Sequence, residues 1–305
     1  MKSNLYSKNG LLTKKIAGDL FYIDVNEKIP RINDFCEKYH SGRGTVQTAL
    51  NMLVELKAIS IVSRGHLGSF LKRKNLEMLG NIAGFSSLLG AMPLPYSKKY
   101  EGLATAIVSE SEREARVINM AFVRGSNIRL DSLKKGRYDF IIVSEFCAKS
   151  FIGNDKTLNY ISNIGEQTYV SQHKIFFADS KENKIREGMK VGIDYQSYDQ
   201  SELTLTECAG LQVELIDIRY MQIANLLENK IIDAAVLSED DISIKAKGYD
   251  FTNMEARNSG AETTRASYVY VKERKDVYES LKNLTSKKIL EIQKAVEMGE
   301  IMPRY

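Results

Sequence analysis

Ile29-Pro30-Arg31-Ile32-Asn33-Asp34-Phe35, then Ser41-Gly42-Arg43-Gly44-Thr45-Val46-Gln47-Thr48-Ala49-Leu50, then Ser63-Arg64-Gly65-His66-Leu67-Gly68-Ser69-Phe70: these three runs decide the fold of the first quarter of the chain. Pro30 stands where its missing N–H costs no helical hydrogen bond, so a helix is expected over Ile32–Tyr39. His40-Ser41-Gly42 is a turn, and the Ser41 hydroxyl is expected to cap the next helix. That helix runs from about Arg43 to Leu56, with Val46, Ala49, Leu50, Leu53 and Val54 as its inner stripe. Ala58–Val62 and Ser69–Leu71 read as short strands joined through Gly65 and Gly68, a two-stranded wing with Arg64 and His66 at its tip.

Working outward, Thr13–Phe21 has helical spacing with Ile16, Ala17 and Leu20 on one face, and Asp24–Ile29 reads as a polar connection. The expected fold of residues 1–75 is an α+β winged helix-turn-helix N-terminal domain. Its candidate DNA-binding residues are Arg31, Ser41, Arg43, Thr45, Gln47, Thr48, Arg64 and His66. They are hydrogen-bonding or cationic side chains at a helix N-terminus and a wing tip, the types that reach base edges and phosphates. Residues 1–75 carry 13 Lys+Arg and 6 Asp+Glu, a net of +7, and the remainder carries 30 against 33, a net of −3. A basic head on a mildly acidic body suits double-stranded DNA at one end and another partner at the other.

These residues resemble the GntR-type winged helix-turn-helix domain. Pro30 begins the second helix, Arg43, Thr45 and Val46 open the recognition helix, and Arg64, Gly65, Gly68, Ser69 and Phe70 form the wing. The head is expected to dock on a pseudo-palindromic operator as a dimer. Gln47 stands where that family often places an arginine, and Gly42 is an extra residue, so base preference does not carry over.

Bulk properties narrow the rest. At 305 residues, 43% hydrophobic and 27% charged, the chain can bury more than one core. No apolar run approaches the roughly 20 residues of a membrane helix, and Met1–Leu12 lacks the apolar centre of a signal peptide. The expected compartment is the cytoplasm, with no membrane partner. Cys36, Cys147 and Cys208 are far apart, which suggests neither a zinc site nor a disulfide framework. No cofactor or metal is expected.

Residues 76–89, diluted by Gly80, Gly84, Ser86 and Ser87, read as a linker with a short helix near Leu76–Leu79, and 90–305 as the second domain. Strand-like and helix-like segments alternate there: Phe85–Met92, Lys98–Glu110, Val117–Phe122, Ile128–Lys135 and Tyr138–Val143, then Lys190–Ile193, Ser201–Cys208, Gln212–Asp217, Met221–Glu228 and Asp233–Leu237. This order predicts parallel sheets covered by helices. The two halves close on the same pattern, Leu133 to Asp139 to Ser144 and Leu227 to Asp233 to Ser238, so two α/β lobes with a cleft are expected. Ligands in such folds sit beyond the carboxyl ends of the strands. The candidate ligand-binding residues are therefore Pro93, Tyr96, Arg124, Gly125, Ser126, Ser144, Ser197, Tyr198, Asp199, Tyr220 and Ser238. Arg124 is the candidate anion anchor, and the set suits a small polar or anionic molecule. Tyr96 and Tyr198 read equally as packing, Ser144 and Ser238 equally as helix caps, and Asp139 and Asp233 as turn caps away from the cleft. Val277–Met298 is a helix that packs on the body or on a partner.

The body resembles the type II periplasmic-binding-protein fold through that repeated strand-ending pattern, giving a bilobed α/β C-terminal domain. Ala91-Met92-Pro93-Leu94-Pro95-Tyr96, Tyr100-Glu101-Gly102-Leu103-Ala104, Arg124-Gly125-Ser126-Asn127-Ile128-Arg129 and Tyr138-Asp139 are similar to the YhfZ family of regulators. The resemblance implies this fold and a regulatory role, and it implies no known ligand. The expected function is a ligand-responsive transcription regulator, a homodimer that binds a small-molecule effector. The alternative is a small-molecule-binding protein or enzyme-like body whose head mediates protein contacts. With only His40, His66 and His173 in the chain, no catalytic set emerges. The effector, the operator and the sign of regulation are not encoded in any motif.

Overall fold

A computed structural model describes residues 8–85, 87–113, 117–241, 260–284 and 286–305. The chain forms two compact units, one up to Ser87 and the other from Leu88 onward.

The first unit is a winged helix with its own core. Helix α1 (Lys8–Phe21) turns Leu12, Ile16, Ala17 and Leu20 inward, one side of a 3.6-residue repeat. Helix α2 (Ile32–Tyr39) buries Phe35, and the Arg31 amide at its start donates to Asp34 Oδ2 at 2.7 Å. Helix α3 (Arg43–Glu55) buries Val46, Ala49, Leu50 and Leu53. Val54, expected on that inner stripe, is 43% exposed at its edge. Ser41 does not cap α3: the extra residue makes Gly42 the N-cap, and Ser41 Oγ donates instead to the Tyr39 carbonyl at 3.1 Å.

Strands β1 (Ile59–Ser63) and β2 (Ser69–Lys74) form the antiparallel wing. The expected polar connection before Ile29 in fact zips onto β2. Asn26 N donates to Leu71 O, Leu71 N to Glu27 O, and Ile29 N to Ser69 O, at 2.7–2.9 Å. The stretch read as linker also belongs to this unit. Asn75 caps helix α4 (Leu76–Ala83) by accepting from Met78 N. Leu79 and Ala83 join the core, and Phe85, expected to begin a strand, packs edge-on against Phe21.

The second unit has two lobes. In the first, β3 (Leu88–Met92), β4 (Ile118–Phe122), β5 (Phe140–Ser144), β6 (Leu158–Ile161) and β11 (Ala266–Val271) are ordered β4-β3-β5-β11-β6. In the second, β7 (His173–Phe177), β8 (Lys190–Ile193), β9 (Glu214–Asp217) and β10 (Ala234–Ser238) are ordered β7-β10-β8-β9. The consecutive strands pair parallel, as expected, and each sheet gains an antiparallel partner, β11 beside β5 and β7 beside β10. Both faces are covered, which is why β5 and β10 are buried throughout and read as continuous apolar runs. Phe140 and Ile142 enter one core while Ile141 and Val143 enter the other. Gly90 in β3 leaves room for the Phe140 ring, since a Cβ there would come within 2.3 Å of it.

Helices α5 (Lys98–Arg113), α6 (Ser126–Lys134), α7 (Glu145–Asn154), α8 (Tyr198–Cys208) and α9 (Ile223–Glu228) follow strands, and α10 (Ala261–Thr264) precedes β11. The repeated aspartates do matching work. Asp139 Oδ2 accepts from Leu89 N at 2.8 Å and Asp233 Oδ2 from Lys190 N at 2.7 Å, each pinning the start of its neighbouring strand. The expected C-terminal helix is two, α11 (Lys275–Leu281) and α12 (Ser286–Glu297). The second packs on the body: Gln293 Nε2 donates to the Lys99 and Thr168 carbonyls at 2.9 and 2.8 Å. Among the described residues no helix is long and apolar enough to cross a membrane.

Candidate functional site

In the head, burying the apolar stripe of α3 leaves Arg43, Gln47 and Thr48 exposed and Thr45 half-buried. Gln47 Nε2 donates to Asn51 Oδ1 at 3.0 Å, and Thr48 Oγ1 donates to the Gly44 carbonyl at 2.9 Å. The wing tip is a single 3-10 turn, Gly65–Leu67, closed by Arg64 N donating to Gly68 O at 2.9 Å. Gly68 has φ +98°, a conformation that suits glycine. Arg64 lies over the Phe70 ring, 4.7 Å from its centroid, which orients an otherwise exposed guanidinium. An open groove of about 400 Å³ runs between α3 and the wing, lined among others by Arg31, Arg43, Gln47, Asn51, Val54 and Ile61. His66 is exposed on the tip and Ser41 is half-buried in the turn.

In the body, the loops after the parallel strands meet across the two lobes. Asn127 N donates to Gln196 O at 3.1 Å, Asn127 Nδ2 to Tyr195 O at 2.9 Å, and Tyr198 N to Ser126 Oγ at 2.8 Å. Tyr96 and Tyr220 pack with ring centroids 4.9 Å apart. Gly125, at φ +66°, lets this approach happen: a Cβ there would lie 2.8 Å from the Gln196 carbonyl oxygen.

Beneath these contacts is a small cavity of about 40 Å³. That is room for roughly three waters. Seven of the sequence candidates line it: Pro93, Tyr96, Gly125, Ser126, Ser197, Tyr220 and Ser238. Four do not. Arg124 lies outside it, half-buried. Ser144 Oγ caps α7 by accepting from Cys147 N and donates to Asp199 Oδ1 at 2.6 Å, so both residues form a latch behind the wall. Tyr198 packs against Phe146 and Phe151.

The lining also holds residues that strand-end reasoning missed, chief among them Arg129, His173, Tyr100, Tyr169 and Gln200. Arg129 is 2% exposed. Its Nη1 donates to the Val123 carbonyl at 2.8 Å and its Nη2 to Tyr169 Oη at 3.3 Å, while Nε has no partner. No carboxylate lies within ion-pair distance of it among the described residues. His173 is buried at the start of β7 with Nδ1 also unpartnered. Buried side-chain polar atoms without a hydrogen-bond partner are few among the described residues, and two of them, Arg129 Nε and His173 Nδ1, belong to residues that line this one cavity. Unsatisfied buried groups are costly and rare enough to need a reason.

Charge and burial set the protonation states here. Burial pushes His173 down to about 4, with Asp240 opposing, so the imidazole is neutral near pH 7. Burial pushes Asp199 up to about 6, against the pull of the Ser144 hydrogen bond and of Arg129. Burial lifts Tyr96 to about 12 and raises Tyr100, Tyr169 and Tyr220 further, so all four hydroxyls keep their protons. Among the described residues none that lines the cavity is acidic. Carboxylates stand behind the wall: Asp194, which accepts the backbone amides of Gln196 and Tyr220, acts on Tyr96, Asp241 acts on Tyr96 and Tyr220, and Asp240 acts on His173.

Fold and site together define a helix-turn-helix head joined to a periplasmic-binding-protein-like body. Residues 25–71 match the helix-turn-helix domain family, and residues 75–305 match the YhfZ C-terminal domain. The chain belongs to the YhfZ family. It is 28% identical over 247 residues to the uncharacterized protein YhfZ of Escherichia coli (strain K12), covering 80% of each chain. The crystal structure of YhfZ from Shigella flexneri is similar with a TM-score of 0.60 and 24% identity, over 75% of this chain and 97% of that one. The alkanesulfonate-binding protein SsuA from Xanthomonas axonopodis pv. citri, bound to MOPS, shares the fold with a TM-score of 0.53 and 12% identity, over 70% of this chain and 75% of that one.

Proposed function

We propose that this protein is a ligand-responsive transcription regulator. The winged helix reads operator DNA as a homodimer, with Arg43, Thr45, Gln47 and Thr48 toward base edges and phosphates and Arg64 and His66 on the wing. The body holds a small polar or anionic effector between its lobes. The observation that carries the reading is the pairing, in one chain, of an α3 whose outer face keeps Arg43 exposed with an interlobe cavity whose wall includes Arg129 and His173, with Nε and Nδ1 lacking partners among the described residues. Whatever the effector does to operator affinity, the operator must do to effector affinity by the same factor.

Fluorescence anisotropy of the full chain on DNA from upstream of its own gene, across a salt series, tests this. Selective binding with a steep salt slope is expected, and the double replacement R43A/R64A should lower affinity and make the slope shallower by about two. Binding that is indifferent to sequence and unchanged by the double replacement rejects the reading.

A further inference from the structure

Resting on the regulator reading, we propose that the interlobe cavity takes a compact organic acid with one carboxylate and no ammonium group, its carboxylate seated on Arg129 and a second polar atom on His173. The guanidinium is anchored by the Val123 carbonyl and the Tyr169 hydroxyl. This leaves the unpartnered Nε edge for a planar acceptor, and the fork geometry of arginine matches a carboxylate side-on. Arg129 belongs to α6 in one lobe and His173 to β7 in the other, so one ligand spanning them would hold the lobes together. The imidazole is neutral and can offer Nδ1 as donor or acceptor, which suits a hydroxyl or keto oxygen next to an acid group.

Size and charge narrow the class. The space admits an acid headgroup and little more. Among the described residues no carboxylate stands in the wall itself, so an ammonium group beside the Arg129 guanidinium would find no direct acidic partner there. The remaining wall, Tyr96, Tyr100, Tyr169 and Tyr220, offers apolar ring surface and protonated hydroxyls, which fit a short uncharged body.

The test is calorimetric titration of the full-length protein with acetate, glycolate, lactate and pyruvate, with acetamide and lactamide as neutral matches, glycine and alanine as ammonium-bearing matches, and inorganic phosphate. At least one carboxylate should bind roughly tenfold or more tighter than its amide and its amino acid match. R129M should abolish that binding. R129K, which keeps the charge and loses the planar fork, should weaken it and serves if R129M does not fold. An amide or amino acid that binds as well as the carboxylate, binding of phosphate alone, an R129M protein that binds normally, or no binding by any probe overturns the proposal. Operator binding on the same preparation separates the two readings. Selective DNA binding without acid binding defeats only the ligand class; acid binding without DNA binding defeats the regulator and leaves the cavity assignment standing.

Discussion

In α3 the buried face is Val46, Ala49, Leu50 and Leu53, and the polar residues look outward. In α6 the buried face is Ser126, Arg129, Ser132 and Leu133. Both helices follow a turn that delivers their N-terminal residues to a surface where a partner can sit. The difference is what holds each in place. Helix α3 is anchored by apolar burial and can present its chemistry to solvent at little cost. Helix α6 carries its chemistry inward, where a buried guanidinium with no carboxylate within ion-pair distance among the described residues is a cost. The proposed DNA surface and the proposed ligand cavity would therefore use opposite faces of the same local structure.

The largest test of that contrast is stability. Leu53→Ala in α3 should cost about 2–5 kcal/mol in urea unfolding, as buried leucines do. Arg129→Met in α6 should cost far less, or stabilise the unliganded protein, because an apolar side chain of similar length replaces an uncompensated charge. Equal losses would mean that Arg129 is structural and would erase the distinction.

Next in size is pH dependence in the body. Asp199 has a folded pKa of about 6 against an ordinary 3.8, so the folded state holds its proton longer and stability falls as pH rises through that window. His173 has a folded value of about 4 against 6.5, so the unfolded chain holds more protons and stability falls as pH drops through its window. Each contributes on the order of 3 kcal/mol in full, and between about 4 and 6 they oppose. Asp199→Asn should therefore steepen the loss on acidification, and His173→Gln should leave a loss on alkalinisation. Urea midpoints at about pH 4.5, 6 and 7.5 read both, and parallel profiles for the two variants would reject the assignment.

Smaller again is the outward face. Arg43→Ala should weaken operator binding by about 1–3 kcal/mol and reduce the salt slope by about one, with the urea midpoint unchanged. Smallest is the cap. Gly42 begins α3 with no side-chain cap and open space around it, so Gly42→Ser should raise stability by a few tenths of a kcal/mol. A loss of DNA affinity in G42S despite that gain in stability would show that the bare helix end serves the DNA.

Much of this was legible in the chain, for reasons that also explain the misses. Helices α2 and α3, the wing and the paired closing strands announce themselves through local periodicity and turn residues. The Asp24–Ile29 stretch was read as a connection because its strand pairing uses backbone groups that side-chain patterns do not report. Strand β11 was missed because its partners β5 and β6 lie more than a hundred residues earlier. In the site, strand-end reasoning found the loop residues, Arg124 among them, and did not reach Arg129, which lies one turn into the helix. The available signal was the spacing Ser126, Arg129, Ser132: one face of a helix that must pack on a sheet, with Leu133 the buried apolar residue beside it.

The insertion of β11 between β5 and β6 has a consequence for how this protein is made. The ribosome delivers β6 by residue 161 and β11 only from residue 266, a delay of roughly 5–20 s at ordinary translation speeds. During that interval the nascent first lobe has two unpaired strand edges flanking an empty slot, the arrangement most open to pairing with a neighbouring chain. The winged helix, with a separate core, can be complete long before. Vectorial synthesis thus yields a finished winged-helix head attached to an unfinished two-lobed body.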